Sequence, residues 1–266
     1  MFRILRGVIL LELNKIYHED CLEGMKKIDD QSIDLILCDL PYGTTASSWD
    51  KMLPMDKLWE EYKRIIKPNR AIVLFSQQPF TSLLITSNIE MWKYNWVWEK
   101  DNGTNFMNSH YQPLKITEDI CVFGTGATSY SPKGNLIYNP QMSEGKAYTV
   151  TSGQQKENSA VVRGKEGRKK SGGFTTVNDG KRYPKNLIKF NRDKEKLHPT
   201  QKPLALVEYL ILTYSNPGDI VLDNCMGSGT TALAAINQGR KFIGFEKEQE
   251  YFEMAENRIK DALIWH

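Results

Sequence analysis

Few folds accommodate the stretch Ser32 to Thr45, SIDLILCDLPYGTT. Ile33 to Cys38 is a short, apolar, β-forming run, the pattern of a strand buried on both faces. The run stops at Asp39, and Leu40-Pro41-Tyr42-Gly43 can continue neither a strand nor a helix. A carboxylate, a proline and an aromatic ring therefore sit just past the carboxyl end of a buried strand, which in open α/β sheets is where ligands bind. An ordinary turn, with a solvated Asp and a packing Tyr, accounts for this segment alone equally well.

The rest of the chain repeats the theme. Strands are expected at residues 15–18, 71–76, 94–98, 119–123, 220–222 and 241–246, which with 33–38 makes seven. Helices are expected at 21–28, 56–67 (ended by Pro68), 80–86, from Pro203 to about Tyr214, from the glycines near 229 to Gln238, and at 249–264. Leu58, Trp59, Tyr62, Ile65 and Ile66 share one face of the second helix, and Phe252, Ala255, Ile259 and Leu263 one face of the last. Trp92, Tyr94, Trp96 and Trp98 alternate, so one face of their strand should be wholly aromatic, and it reads as core more than as a base-stacking platform. Strands alternating with helices imply a mostly parallel sheet covered on both faces, an α/β fold.

From Thr125 to about residue 197 long apolar runs vanish, and Gly, Ser, Lys and Asn dominate. Residues 133–196 hold 15 Lys and Arg against 6 Asp and Glu, a net of +9, while the rest carries 20 against 26, a net of −6. Such asymmetry points to a polyanion held by one inserted segment of an otherwise single domain spanning 1–266. Cys21, Cys38, Cys121 and Cys225 show no CxxC spacing and read as reduced thiols of a cytoplasmic protein. His18, His110, His198 and His266 are equally dispersed, so no metal site is expected. The start, MFRILRGVILLEL, has an apolar run too short for a signal peptide and no small-residue cleavage site, and no later stretch suits a membrane span. Export is not expected.

Near the other end, strand 220–222 runs into Asp223-Asn224-Cys225-Met226-Gly227-Ser228-Gly229-Thr230-Thr231. Gly227 and Gly229 would let the backbone approach a ligand, and Glu246 ends the next strand, where a carboxylate can accept both ribose hydroxyls. No lysine precedes the Ser or Thr, which excludes a phosphate-binding P-loop. Together these features point to an adenosine-containing cofactor.

DLPYGTT, then HPTQKPLALVEYLI, then VLDNCMGSGTTALAAINQGRKFIGFE resembles the amino-methyltransferases of bacterial and phage DNA in their β arrangement, with the cofactor motif placed last. The resemblance covers roughly residues 14–123 and 198–264, and matches nothing in 125–196. It implies a Rossmann-like, seven-stranded S-adenosylmethionine-dependent methyltransferase sheet with circularly permuted motif order and one antiparallel strand near its edge. It also implies double-stranded DNA as partner, often within restriction-modification, and S-adenosylhomocysteine as second product. Residues 125–197 would then be the target-recognition region. Relatives with small recognition regions are frequently dimers, so a homodimer joins the expected partners.

An exocyclic base amine is a poor nucleophile because its lone pair is delocalised into the ring. The resemblance makes Asp39 and the backbone carbonyl of Leu40 the two acceptors of its N–H groups, with Pro41 shaping the turn and Tyr42 stacking on the flipped base. Leu40 stands where the family usually has proline, which keeps the carbonyl and sacrifices turn rigidity. For the cofactor it suggests Asp20 at the adenine amino group, Glu246 at the ribose, and Asp223, Gly227 and Gly229 at the methionine end. His198, Thr200 and Lys202 would wall that end alongside Asp39. Cys225 replaces a common aromatic and is still apolar enough to line a pocket. The leading Asp of DLPY favours adenine N6, since enzymes of cytosine N4 more often carry Ser there. Rivals are a protein or RNA amine methylase, which usually has Asn at position 39, and an inactive DNA-binding regulator, against which intact Asp39, Gly227, Gly229 and Glu246 speak.

Overall fold

The computed structural model describes residues 11–44, 50–151, 175–193 and 201–264. Its first half runs β1 (Lys15–His18), α1 (Cys21–Met25), β2 (Ile33–Asp39), α2 (Met55–Ile65), β3 (Ile66–Ser76), α3 (Phe80–Ser87), β4 (Trp92–Thr104) and β5 (Lys115–Gly124). Four short strands follow, β6 (Ser143–Glu144), β7 (Tyr148–Thr151), β8 (Thr175–Asn178) and β9 (Lys181–Arg182). The chain then adds β10 (Leu187–Lys189), α4 (Leu204–Tyr214), β11 (Ile220–Asp223), α5 (Thr230–Asn237), β12 (Lys241–Glu246) and α6 (Gln249–Ile264).

Among the described residues the main sheet has eight strands in the order β1-β12-β11-β2-β3-β5-β4-β10. Seven are the expected ones. The eighth, β10, extends the edge beside β4 from inside the stretch expected to be inserted, where a three-residue strand leaves no periodicity to read. Only β5 runs against its neighbours, pairing antiparallel with both β3 and β4.

Alternation along the central strands divides the core. Leu35, Leu37, Val73, Phe75, Val122 and Val221 pack on one side with residues of α4, α5 and α6. Ile36, Cys38, Leu74, Cys121, Leu222 and Phe245 pack on the other with residues of α1, α2 and α3. The side chains on a pleated strand point alternately up and down, so a strand covered on both faces has to be apolar at nearly every position. Asp34, inside that run and 2% exposed, is the exception. It pairs with Lys67 at 2.8 Å and Arg70 at 3.0 Å, brought to it where β3 departs from its register with β2. That irregularity also lets a strand contain Pro68, so α2 ends at Ile65 and β3 begins earlier than expected.

The aromatic strand is corrected in one respect. A register shift between Trp92 and Tyr94 sends Trp92 to the α2 side, while Tyr94, Trp96 and Trp98 remain on the α4 side. Trp96 and Tyr94 both hydrogen-bond the Tyr214 hydroxyl, so this face is core. In α6, Ala255 and Ile259 are buried and Phe252 is partly so; the side chain of Leu263 lies outside the described residues.

Residues 140–184 form a separate unit, narrower than the expected 125–197. Its described part is two antiparallel ladders, β6 with β9 and β7 with β8, and Arg182 lies 4.9 Å over the Tyr148 ring. No described helix is long and apolar enough to cross a membrane.

Candidate active site

The carboxyl ends of β2, β11 and β12 lie side by side, and the chain diverges between β11 and β2. From β2 it winds outward through β3, and from β11 it winds the opposite way through β12. Such a switch point leaves a crevice beyond the strand ends. Here it is a cavity of about 520 Å³ whose lining includes Asp20, Asp39 to Tyr42, Lys202, Asp223, Cys225, Gly227 and Glu246. The structure thus brings together residues read from four separate stretches. His198 and Thr200 lie outside the described residues.

The turn after β2 is held from a distance. Asp50 accepts hydrogen bonds from the backbone N–H groups of Gly43 at 2.8 Å and Thr44 at 2.9 Å. Leu40 is 3% exposed and packs into the apolar cluster on the α2 side, so side-chain burial supplies rigidity that a proline ring would otherwise give. The Tyr42 ring stacks on Phe80, centroids 5.0 Å apart.

Both oxygens of Asp39 are engaged. Oδ1 accepts the Tyr42 hydroxyl at 2.7 Å and Oδ2 the Lys202 ammonium at 2.5 Å. Lys202, read from the sequence as a wall for the cofactor, is buried and serves as the partner of Asp39. Its Nζ also lies 3.6 Å from Glu118, whose other oxygen pairs with Lys100 at 2.5 Å. Burial penalises charge on Lys202, but the carboxylates of Asp39 and Glu118 outweigh it and raise its pKa. Burial likewise works against a charged Glu118, yet the ammoniums of Lys202 and Lys100 hold its carboxyl below the ordinary range. The result is a buried chain of alternating charges reaching from the turn after β2 to the β4–β5 pair.

At the glycine loop, Glu246 accepts the Gly227 N–H at 2.7 Å and the Glu248 N–H at 2.9 Å. Burial, its largest influence, raises its pKa. A side chain at Gly227 would meet nothing within 4 Å, so the backbone there borders open space, at a φ of +53°. Gly229 differs from expectation: it does not line the cavity, and its Cα packs against Ala255 of α6, where a Cβ would come within 3.1 Å. Asp20 caps α1 by accepting the Leu22 N–H at 2.9 Å. Cys225 stands beside Cys21 and Cys38, and Cys21 and Cys225 line the cavity, so three of the four dispersed cysteines come together next to it.

Asp223 is 3% exposed and accepts the Cys225 N–H at 3.0 Å. Burial pushes its pKa up to about 6. A raised value means that folding favours the neutral acid: the stabilisation is complete below pH 3.8 and is lost as pH climbs through about 6. Asp223→Asn keeps an acceptor oxygen without the charge. Its stability gain over wild type, measured by denaturant unfolding without cofactor, should therefore grow from nothing near pH 4 to roughly 2–3 kcal/mol at pH 8. A difference independent of pH would show that the native carboxylate is not desolvated.

Asp50, Lys100 and Glu118 escaped the sequence reading. Lys100 did leave a signal: it continues the alternation of Trp96 and Trp98, and a lysine on an otherwise apolar face is buried only when paired.

Residues 33–257 match the DNA methylase family of N6/N4 methyltransferases. The chain is 32% identical to the DNA adenine methyltransferase YhdJ of Escherichia coli (strain K12), over 94% of this chain and 84% of that protein. It is 30% identical to the type II methyltransferase M.HinfI of Haemophilus influenzae, over 94% and 69%. Among solved structures it is similar to the M1.HpyAVI–SAM complex, with a TM-score of 0.60 and 28% identity over 92% of this chain and 98% of that one. Its fold is also that of the cytosine-N4-specific PvuII DNA methyltransferase, with a TM-score of 0.61 and 15% identity over 95% and 92%.

Proposed function

The chain belongs to the N6/N4 DNA methylase family, and on that premise we propose that it methylates N6 of adenine at specific sites in double-stranded DNA, in the cytoplasm. S-adenosylmethionine is the cofactor, and when bound it supplies a methyl group made electrophilic by a positively charged sulfur. The cavity is of a size usual for such ligands, and the backbone at Gly227 leaves room for close approach. Glu246 would take the ribose hydroxyls, Asp20 the adenine amino group, and Asp223 with Gly227 the methionine end.

The observation that carries the reading is Asp39, at the end of a buried strand and in the same cavity as Glu246. Its carboxylate would accept one N–H of the target amine and the Leu40 carbonyl the other, turning the lone pair out of conjugation and toward the methyl group. Much of the remaining barrier is alignment, which two fixed acceptors favour. Tyr42, backed by Phe80, would stack on the extruded base.

Adenine is preferred to cytosine because Asp leads the DLPY turn and because a relative at 32% identity is named an adenine methyltransferase. The fold is common to both kinds of enzyme, so the product decides. DNA methylated by the pure protein, digested to nucleosides and weighed, should yield N6-methyladenine; N4-methylcytosine would overturn the base assignment.

The basic segment within 125–197 is proposed as the DNA-contacting, target-recognition region. Log affinity for DNA should then fall steeply with log salt. Neutralising Arg168, Lys169 and Lys170, which lie outside the described residues, should flatten that slope by up to about 3 while leaving cofactor affinity unchanged. An unaltered slope would move the DNA path elsewhere.

A further inference from the structure

Asp39 is expected to receive a substrate N–H, yet its Oδ2 already holds the Lys202 ammonium at 2.5 Å and its Oδ1 the Tyr42 hydroxyl at 2.7 Å. An oxygen bound this closely to a cation has surrendered much of its strength as an acceptor. Glu118 offers the ammonium an alternative. Its Oε2 is buried with no hydrogen-bond partner among the described residues, and it lies 3.6 Å from Lys202 Nζ, just outside hydrogen-bonding reach.

We propose that Glu118 is a positioning residue for methyl transfer, the second acceptor that draws the Lys202 ammonium off Asp39 when the target amine arrives. The two carboxylates differ in how they are fixed. Lys100, itself buried, holds Glu118 Oε1 at 2.5 Å, and the β4–β5 ladder sets Glu118 opposite Trp98. Lys202 approaches from just before α4 on a long flexible stem, so the ammonium is the part that moves. A displacement of about an ångström would satisfy the orphaned oxygen and free Asp39 Oδ2 in one motion. No bond is made or broken and no proton changes hands; one hydrogen bond is exchanged for another. The inference rests on Asp39 being the amine's acceptor and is indifferent to which base carries that amine.

The test is a double-mutant cycle on the single-turnover methylation rate, with S-adenosylmethionine affinity measured alongside by calorimetry. Glu118→Gln should slow transfer at least tenfold in the wild-type background and less than twofold in Lys202→Met, with cofactor affinity unchanged within threefold. A residue that merely supports the β4–β5 pair would lower the rate equally in both backgrounds, and that result, or a wild-type rate for Glu118→Gln, overturns the proposal. Should Glu118→Gln fail to fold, Glu118→Asp, which keeps the charge and withdraws the oxygen, takes its place in the same cycle with the same expectations. Full activity of a folded Asp39→Ala protein would sink the underlying reading of Asp39, whereas N4-methylcytosine as the wild-type product would change only the base.

Discussion

Asp39→Ala should reduce methyl transfer by at least about a hundredfold, the scale on which removing one preorganised polar group from a reacting centre is felt. The reasoning is local. The carboxylate sits at the end of β2, inside the cavity, and its removal takes away an acceptor without touching the glycine loop. The fold should survive, because the buried Lys202 ammonium keeps Glu118 as a partner 3.6 Å away and is not left with an uncompensated charge. Cofactor affinity should therefore fall only modestly. Asp39→Asn retains an acceptor oxygen of lower strength and should keep a measurable part of the activity. Single-turnover rates with circular dichroism as the control separate these outcomes, and a folded Asp39→Ala protein of wild-type rate would remove Asp39 from the mechanism.

Glu246→Ala should weaken S-adenosylmethionine binding by about 1.5–3 kcal/mol, the range of hydrogen bonds to a charged group. The same carboxylate also accepts the N–H groups of Gly227 and Glu248, so the alanine variant loosens the loop that fronts the cavity. Glu246→Gln separates the two effects: it keeps an acceptor for the loop while discarding the charge, and should cost less stability yet still bind the cofactor more weakly than wild type. Because burial raises the pKa of Glu246, affinity should begin to fall on acidification at a higher pH than for an ordinary carboxylate. Calorimetry across pH on the three proteins checks both points, and unchanged affinity in folded Glu246→Ala would take the residue out of the site.

Much of the fold was legible because its rules are short-range. Strands covered on both faces must be apolar at nearly every position, as Ile33 to Cys38 and Ala71 to Ser76 are, and a helix with one buried face must repeat near 3.6 residues, as Leu58, Trp59, Tyr62 and Ile65 do. The breaks at Leu40-Pro41-Tyr42-Gly43 and at the glycine loop are equally local, so the carboxylates at strand ends, Asp39, Asp223 and Glu246, could be picked out by position alone. The errors lie where backbone irregularity overrides period: the register shift that turns Trp92 to the other face, the departure that admits Pro68 to β3, and β10, too short to leave a pattern.

Which side chains meet was decided only by the tertiary structure. Lys202 reaches Asp39 across 163 positions of sequence, because the segment before α4 and the end of β2 arrive at one switch point of the sheet. Lys100 and Glu118 join them through the β4–β5 ladder, Asp50 returns to hold the turn, and Cys21, Cys38 and Cys225 gather although nothing in their spacing suggests it. A charge buried beside its opposite is stable only once the low-dielectric surroundings and the partner are both in place, and neither is a property of the residues on either side of it in the chain.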